Sequence, residues 1–444
     1  MIEISPEIVC IIMLGGFIFG VFLGCHVAFV IGGVGLIVGY LLFGTTVFNL
    51  LYTRLFDLLS NYTLLAVPLF VFMGVMLERS GIAERMYDAF YMWLGGFRGG
   101  LAVTTVLIGT IVAACVGVIG ASVSMLTLVA LPAMLKRGYD KSLATGSVCA
   151  GGTLGQLIPP SVLLVIYGPM ANISVGKLFM GAIPPGLVLS GLYCSYIAVR
   201  CLFQPKLATA VPAEERAAPL IKKVTVLTTS LMPPLLLIMA VLGSIFLGLA
   251  PPTEAASVGA FATIILAIAY RRFSWQALKE TALQTMKITS MILLIGGMSN
   301  AFVGVFLKAG GGDVVANLIL SAPFGRWGAF AVIMFIVFIL GFLIDIIGII
   351  FIMVPIISPL VPILGFDPVW FAIMININFQ MAYMTPPFAL AIFYLQGSAQ
   401  PEWGIATADI IKGVFPFVGL IFIGIGLCIA FPNIITWLPA VMVK

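Results

Sequence analysis

The stretch "GGTLGQLIPPSVLLVIYG", residues 151–168, is apolar enough for lipid, yet it carries the adjacent pair Pro159-Pro160. A second pair, Pro386-Pro387, stands in another apolar run. Proline removes a backbone donor and clashes with the preceding turn, so a Pro-Pro pair unwinds a helix. Unpaired backbone at membrane depth is tolerated only where it is buried in protein or lines a wet cavity. That requirement bears on this chain because 62% of its 444 residues are hydrophobic and 8% are charged, against about 25% charged in soluble domains. The composition is that of an all-α polytopic membrane protein, and both pairs lie where breaks need a reason.

The two pairs belong to an internal repeat. Pro132, Gly138, Asp140 and Pro159 recur as Pro359, Gly365, Asp367 and Pro386, and the differences 359 − 132, 365 − 138, 367 − 140 and 386 − 159 all equal 227. Apolar stretches able to cross a core of about 30 Å lie near 7–23, 27–43, 55–77, 142–167, 179–204, 223–250, 254–270, 280–308, 367–395 and 404–432. Two more, 98–135 and 327–361, are interrupted by Gly, Ser or Asp and suit re-entrant helical hairpins. Segments 80–96 and 311–326 mix charge with apolar residues, as interfacial helices do. The first apolar run lacks a basic n-region and a cleavage site, so it reads as a retained helix.

With both hairpins re-entrant, three basic clusters fall on one face: Lys136, Arg137 and Lys141; Arg200, Lys206, Arg216, Lys222 and Lys223; and Arg271, Arg272 and Lys279. The positive-inside rule makes that face cytoplasmic, and ten crossings put both termini outside. The first repeat copy is then approached from inside and the second from outside. Inverted repeats with broken helices point to a secondary transporter with its site at the midplane. At such a break, carbonyls of one half-helix and the positive start of the other can hold a cation beside an organic anion. A simple proline kink explains one pair alone; it does not explain two at matched positions.

Candidate ligands cluster at the hairpin turns. "GVIGASVSM", 117–125, places Gly117, Gly120, Ser122 and Ser124 at the first, where close helix packing by small residues is the competing reading. "GFLIDIIGII", 341–350, places Asp345 and Gly348 at the second. Asp345 is the acidic residue most clearly inside an apolar run, and an intramembrane carboxylate is a functional candidate unless the turn is merely hydrated. With so few embedded carboxylates and His26 as the one histidine, proton coupling has few carriers. Sodium needs only oxygen ligands, so sodium coupling is preferred.

Other chemistries find little support. The seven Cys form no CxxC or CxxxC pair, which argues against zinc and a disulfide framework. "GGVGLIVG" (32–39) reads as packing and "GGFRGG" (95–100) as a loop, so neither is a nucleotide site. No organic cofactor and no nucleic-acid partner is expected. Without HExxH or GxSxG, an intramembrane enzyme is a remote alternative.

"MLKRGYDKSLATGSVCAGGTLGQLIPPSVLLVIYG" and "NFQMAYMTPPFALAIFYLQGSAQPEW" resemble the signature regions of the large membrane subunit of tripartite ATP-independent periplasmic (TRAP) transporters, the DctM family. The resemblance covers nearly the whole chain. It implies an inverted-repeat, elevator-type sodium-coupled carrier in the bacterial inner membrane, with two re-entrant hairpins and two broken transmembrane helices. On that plan, 1–97 and 224–326 are scaffold helices and arms, 98–202 and 327–444 build the transport domain, and 203–223 is a cytoplasmic linker. A separate small four-helix membrane subunit (DctQ-like) and a periplasmic substrate-binding protein (DctP-like) are the implied partners. By position, a first sodium site involves Gly120 and Ser122 with Gly155, Ile158 and Pro159. A second involves Asp345 and Gly348 with Met384, Thr385 and Pro386, and substrate sits near Ser124, Ser161 and Thr385. "GASV", "TLGQLIPPS" and "TPPFALAIFYLQG" are most similar to the branch associated with 2-oxo acids, hydroxy acids and related carboxylates. A stand-alone sodium/carboxylate symporter of the same superfamily is the other reading of the same residues.

Overall fold

The computed structural model describes residues 4–212, 214, 219–387 and 389–442, without the side chains of 113–116, so Glu3 and Arg216 lie outside the described residues. The first half contains α1 (Pro6–Phe22), α2 (Val27–Phe43), α3 (Thr46–Leu59), α4 (Ala66–Arg79), α5 (Ile82–Leu94), α6 (Gly100–Val116), α7 (Ile119–Lys136), α8 (Lys141–Thr153), α9 (Val162–Ala171) and α10 (Val175–Phe203). The second contains α11 (Leu220–Phe246), α12 (Pro252–Ala269), α13 (Trp275–Lys308), α14 (Gly311–Leu320), α15 (Gly325–Leu340), α16 (Ile346–Ile357), α17 (Leu360–Ile363), α18 (Pro368–Met384), α19 (Leu390–Ser398), α20 (Thr407–Ala430) and α21 (Asn433–Val441). Among the described residues every regular element is helical.

Seven helical stretches are long and apolar enough to cross a bilayer on their own. Six of the ten expected spans are among them and α7 of the first hairpin is the seventh; the stretches at 142–167 and 367–395 are each split into two short helices, and α1 and α2 have only 17 residues each. The stretch at 55–77 also differs from the single span expected. α3 ends at Leu59, Asn61 Oδ1 accepts the amide of Thr63 at 3.0 Å, and a short 3-10 turn (Tyr62–Leu65) leads into α4. The helical ends also shorten the mid-chain linker: α10 continues to Phe203 and α11 begins at Leu220.

Residues 227 apart hold equivalent places. Ile119 and Ile346 start α7 and α16, Lys141 and Pro368 start α8 and α18, and Phe203 and Ala430 end α10 and α20. Asp140 and Asp367 accept the amides of Leu143 (3.0 Å) and Trp370 (2.8 Å), an N-cap that satisfies one orphan donor at each helix start. Just before each cap, Gly138 and Gly365 take φ of 70° and 72°, a conformation glycine adopts without strain. The Pro159-Pro160 and Pro386-Pro387 peptide bonds are both cis.

Each hairpin returns to the end it left. The Leu101 amide, at the start of α6, donates to the Tyr139 hydroxyl just past α7 at 3.2 Å. In the second half Trp327, at the start of α15, packs edge-on against Phe366, the mate of Tyr139, with centroids 5.2 Å apart. Around the first hairpin, Arg137 reaches the Tyr91 hydroxyl (2.9 Å), Arg272 pairs with Glu84 (3.5 Å), Arg85 covers the Tyr270 ring (4.3 Å) and Arg79 pairs with Glu280. α5 ties these basic residues together at one end while burying Ile82, Ala83, Met86 and Tyr87 beneath it. The 34-residue α13 runs from that basic end, where Arg272 and Glu280 lie, to Lys308, so the second hairpin, entered after α14, starts at the opposite end. Both described chain ends lie opposite: Cys10 Sγ contacts Gly311 O at 3.7 Å, and Met442 lines a groove with Asn61, Asn172 and Pro251.

Between the hairpins sit α8 and α18, buried along nearly their whole lengths. α8 is built from small residues, which lets backbones touch where lipid gives no hydrophobic drive for helices to associate. A Cβ placed on Gly109 of α6 would lie 2.6 Å from the Gly151 carbonyl of α8, and one on Gly146 would collide with the Gly413 backbone of α20.

Candidate functional site

The residues that leave the helical ladder at the first break are 157–161, between the 3-10 turn Leu154–Gln156 and α9. Two side chains pin the backbone there. The Ser161 hydroxyl donates to Gln156 O at 2.5 Å, and Asn376 Nδ2 donates to the same oxygen from α18 at 3.2 Å. One carbonyl freed from the helix is thus held by both halves. Just behind it, Gln380 Nε2 reaches Thr153 Oγ1 at 3.5 Å and the Tyr193 hydroxyl at 3.3 Å. Thr153 and Gln380 are themselves repeat mates, so the pseudo-symmetry axis passes between them.

On that axis lies a cavity of about 350 Å³. Its lining contains Val118 and Asp345, Gly120 and Ile347, Gln156 and Tyr383, and Leu163 and Leu390, four pairs of residues 227 apart. Ser124 and Tyr394 also face it, and α4 and α13 complete it with Glu78, Gln284, Ile288, Met291 and Ile292. A larger groove of about 780 Å³, lined by Lys177, Asp367 and Trp437, lies at the periphery between α10 and α21 and has no such pairing.

Four helices begin at the cavity: α7, α9, α16 and α19. The first amides of a helix have no partner within it, and the aligned dipoles make that end positive. Asp345 caps α16, its Oδ1 accepting the Ile347 amide at 2.9 Å. The starts of α7, α9 and α19 have no side-chain cap. Among the described lining residues there is no Lys, Arg or His. The positive ends at the cavity are therefore backbone alone, of the kind that binds anions at helix starts, while Asp345 and Glu78 add carboxylates to the same lining.

The expected site residues divide. Gly120, Ser124 and Asp345 line the cavity. Ser122 is buried with its hydroxyl turned back to Val118 O at 3.2 Å. Gly155, Ile158 and Pro159 are buried behind the break, Ile158 against Gly186. Gly348 packs against Ile344, Val27 and Ile295. Met384 Sδ accepts from Thr153 Oγ1 at 3.4 Å, the Thr385 hydroxyl donates to Met381 O at 2.9 Å, and Pro386 is half-buried beside them. None of these, nor Ser161, faces the cavity with a side chain.

Five polar lining residues went unnoticed in the sequence: Gln156, Tyr383, Tyr394, Glu78 and Gln284. Gln156 sits beside Tyr383, and its Oε1 is buried without a hydrogen-bond partner among the described residues. The repeat holds the signal that finds two of them, since Gln156 and Tyr383 are mates three residues before the paired prolines.

Residues 14–434 match the family model described as "Tripartite ATP-independent periplasmic transporter, DctM component". The chain is 29% identical over 414 residues to the C4-dicarboxylate TRAP transporter large permease protein DctM of Vibrio cholerae, covering 86% of this chain and 87% of that one. It is 26% identical over 377 residues to the 2,3-diketo-L-gulonate TRAP transporter large permease protein YiaN of Escherichia coli, covering 85% and 86%. In fold it is similar to the Alcanivorax borkumensis YdaH transporter, with a TM-score of 0.60, 16% identity, and 88% and 89% of the two chains covered. Neisseria gonorrhoeae MtrF is similar too, with a TM-score of 0.58, 14% identity, and 87% and 84% covered.

Proposed function

Since the chain belongs to the DctM component family of tripartite ATP-independent periplasmic transporters, large permeases rather than enzymes, we propose that it imports a small organic acid by coupling it to sodium. The acid is a carboxylate of the 2-oxo or hydroxy acid kind, taken from a DctP-like periplasmic binding protein. The observation that carries this reading is the convergence of four helix starts, three without side-chain caps, on a cavity with no basic side chain among its described lining.

Magnitudes support a coupled cation. One helix start stabilises an anion by about 0.3–2 kcal/mol, so three uncapped starts supply a few kcal/mol. Two like charges held about 6 Å apart repel by ~3 kcal/mol at an effective dielectric of ~20. With both Asp345 and Glu78 in the wall that repulsion doubles to ~6 kcal/mol, at or above what the helix starts supply, and sodium bound nearby offsets the excess. The oxygen donors fit a hard cation: the free Gln156 Oε1, the Asp345 carboxylate, and the break carbonyls around Gly155, Ile158, Pro159 and, in the second half, Met384, Thr385 and Pro386. Gly120, Ser122 and Gly348 let the hairpin turns approach those breaks. The acid lies between the turns, with Ser124, Ser161 and Thr385 close to its path.

In this reading the hairpins and broken helices, with α10, α20 and α21, move as one body against the scaffold of α1–α5 and α11–α14. The basic end faces the cytoplasm of a bacterial inner membrane and both termini face the periplasm. A small four-helix subunit, DctQ-like, accompanies the scaffold. The test is uptake of radiolabelled 2-oxo and hydroxy acids into proteoliposomes holding both membrane subunits. Uptake is expected only with an inward sodium gradient and the loaded binding protein outside. Uptake of the free acid without the binding protein would support a stand-alone symporter instead.

A further inference from the structure

The cavity has two unlike walls. On one, the starts of α7, α9 and α19 offer backbone amides. On the other, Glu78 from α4 and Gln284 from α13 stand beside the apolar Ile288, Met291 and Ile292. Gln284 is two helical turns from Ile292, about 12 Å along α13 at 1.5 Å per residue, so the two polar groups occupy one end of that wall. The guanidinium next to Glu78 in sequence, Arg79, is engaged by Glu280. Among the described residues the carboxylate of Glu78 and the amide of Gln284 make no hydrogen bond or ion pair, although both groups face the cavity.

We propose that Glu78 sets the substrate class and narrows the 2-oxo and hydroxy acids to one side of that range: the permease takes monocarboxylates carrying a hydroxyl or ammonium at the far end, in preference to plain 2-oxo acids, and rejects dicarboxylates. The inference rests on the cavity being the acid site. One carboxylate is held by the helix starts. A second, at the other end of a short acid, would meet the Glu78 charge and three apolar side chains, with no basic group to offset it. A hydroxyl or ammonium there instead donates to Glu78, while Gln284 accepts or donates as needed. A site built to hydrogen-bond a substrate group discriminates strongly against an analogue that leaves the site's polar group unpaired.

Three acids of equal chain length separate the possibilities: 4-hydroxybutyrate, 4-aminobutyrate and succinate. Their apparent affinities are read from thermal unfolding of the purified pair of membrane subunits in sodium chloride, for the wild type and for Glu78→Gln, which keeps the shape and removes the charge. The wild type is expected to bind the better monocarboxylate at least about tenfold tighter than succinate, a difference of about 1.4 kcal/mol. Glu78→Gln is expected to bring that ratio down to about threefold or less, mainly by improving succinate. Glu402→Gln, an exposed carboxylate in the turn Pro401–Trp403 outside the cavity, is expected to keep the wild-type ratio. A wild type that prefers succinate, or an unchanged ratio in Glu78→Gln, overturns the inference and leaves the transport reading standing. If no acid protects the wild type at any sodium concentration, the cavity is not the acid site, and the inference falls with that reading.

Discussion

Asp345 combines two tasks that are separable by substitution. Its carboxylate caps α16 through the Ile347 amide, and it supplies negative charge to the cavity wall. Asparagine is a good N-cap too, so Asp345→Asn keeps the helix start while removing the charge that the proposed sodium site relies on. Sodium-dependent uptake is expected to fall at least about tenfold, with thermal stability changed by less than about 1 kcal/mol. Equal uptake at every sodium concentration would remove Asp345 from the mechanism. Its candidacy was legible because a carboxylate inside an apolar run is conspicuous. Glu78 was not, for a physical reason: followed by Arg79 and Ser80 it reads as the charged end of a helix, and only the packing of α4 on α13 turns it to the cavity. Ser122 and Thr385 show the converse. Both are hydroxyls in promising places, yet each satisfies itself on a carbonyl four residues back, the local bond that such residues make in helices.

At the level of elements, the breaks and hairpins were written in the sequence because Pro-Pro, Gly-Tyr-Asp and Gly-Phe-Asp constrain backbone whatever surrounds them. The arms were not. α3, the 3-10 turn and α4 occupy 46–79, whereas their counterpart in the second half is the unbroken 34-residue α13. Apolar content alone does not distinguish a straight helix from one reset at Ser60-Asn61; the distinction lies in one side chain, Asn61, closing on the Thr63 amide. The crossing of α8 with α20 is equally invisible in hydropathy, since it depends on glycines meeting across chains of contact. Gly413→Val would drive a side chain into the Ser142 carbonyl of α8. Overpacking of this kind costs about 1–3 kcal/mol or more, and the expected result is a lower unfolding temperature with reduced uptake. Unaltered unfolding would show that α20 is free to shift away from α8.

For the whole molecule, the 227-residue repeat says more than any single motif. It predicts equivalent, inverted halves, and the structure adds that each hairpin closes on its own start and that their mates meet around one cavity. The place of the candidate cavity was therefore legible, whereas its polar inventory was not, because inventory depends on which face each short helix presents after docking. The central claim is that an organic acid binds at the helix starts between the repeats. A density map of the two membrane subunits with sodium and a saturating acid tests it directly. The account predicts ligand density in the cavity between Gly120, Leu163 and Leu390, with a carboxylate within hydrogen-bond reach of the backbone amides that open α7, α9 or α19. Density confined to the peripheral groove of Lys177 and Trp437, with the central cavity empty, would contradict it.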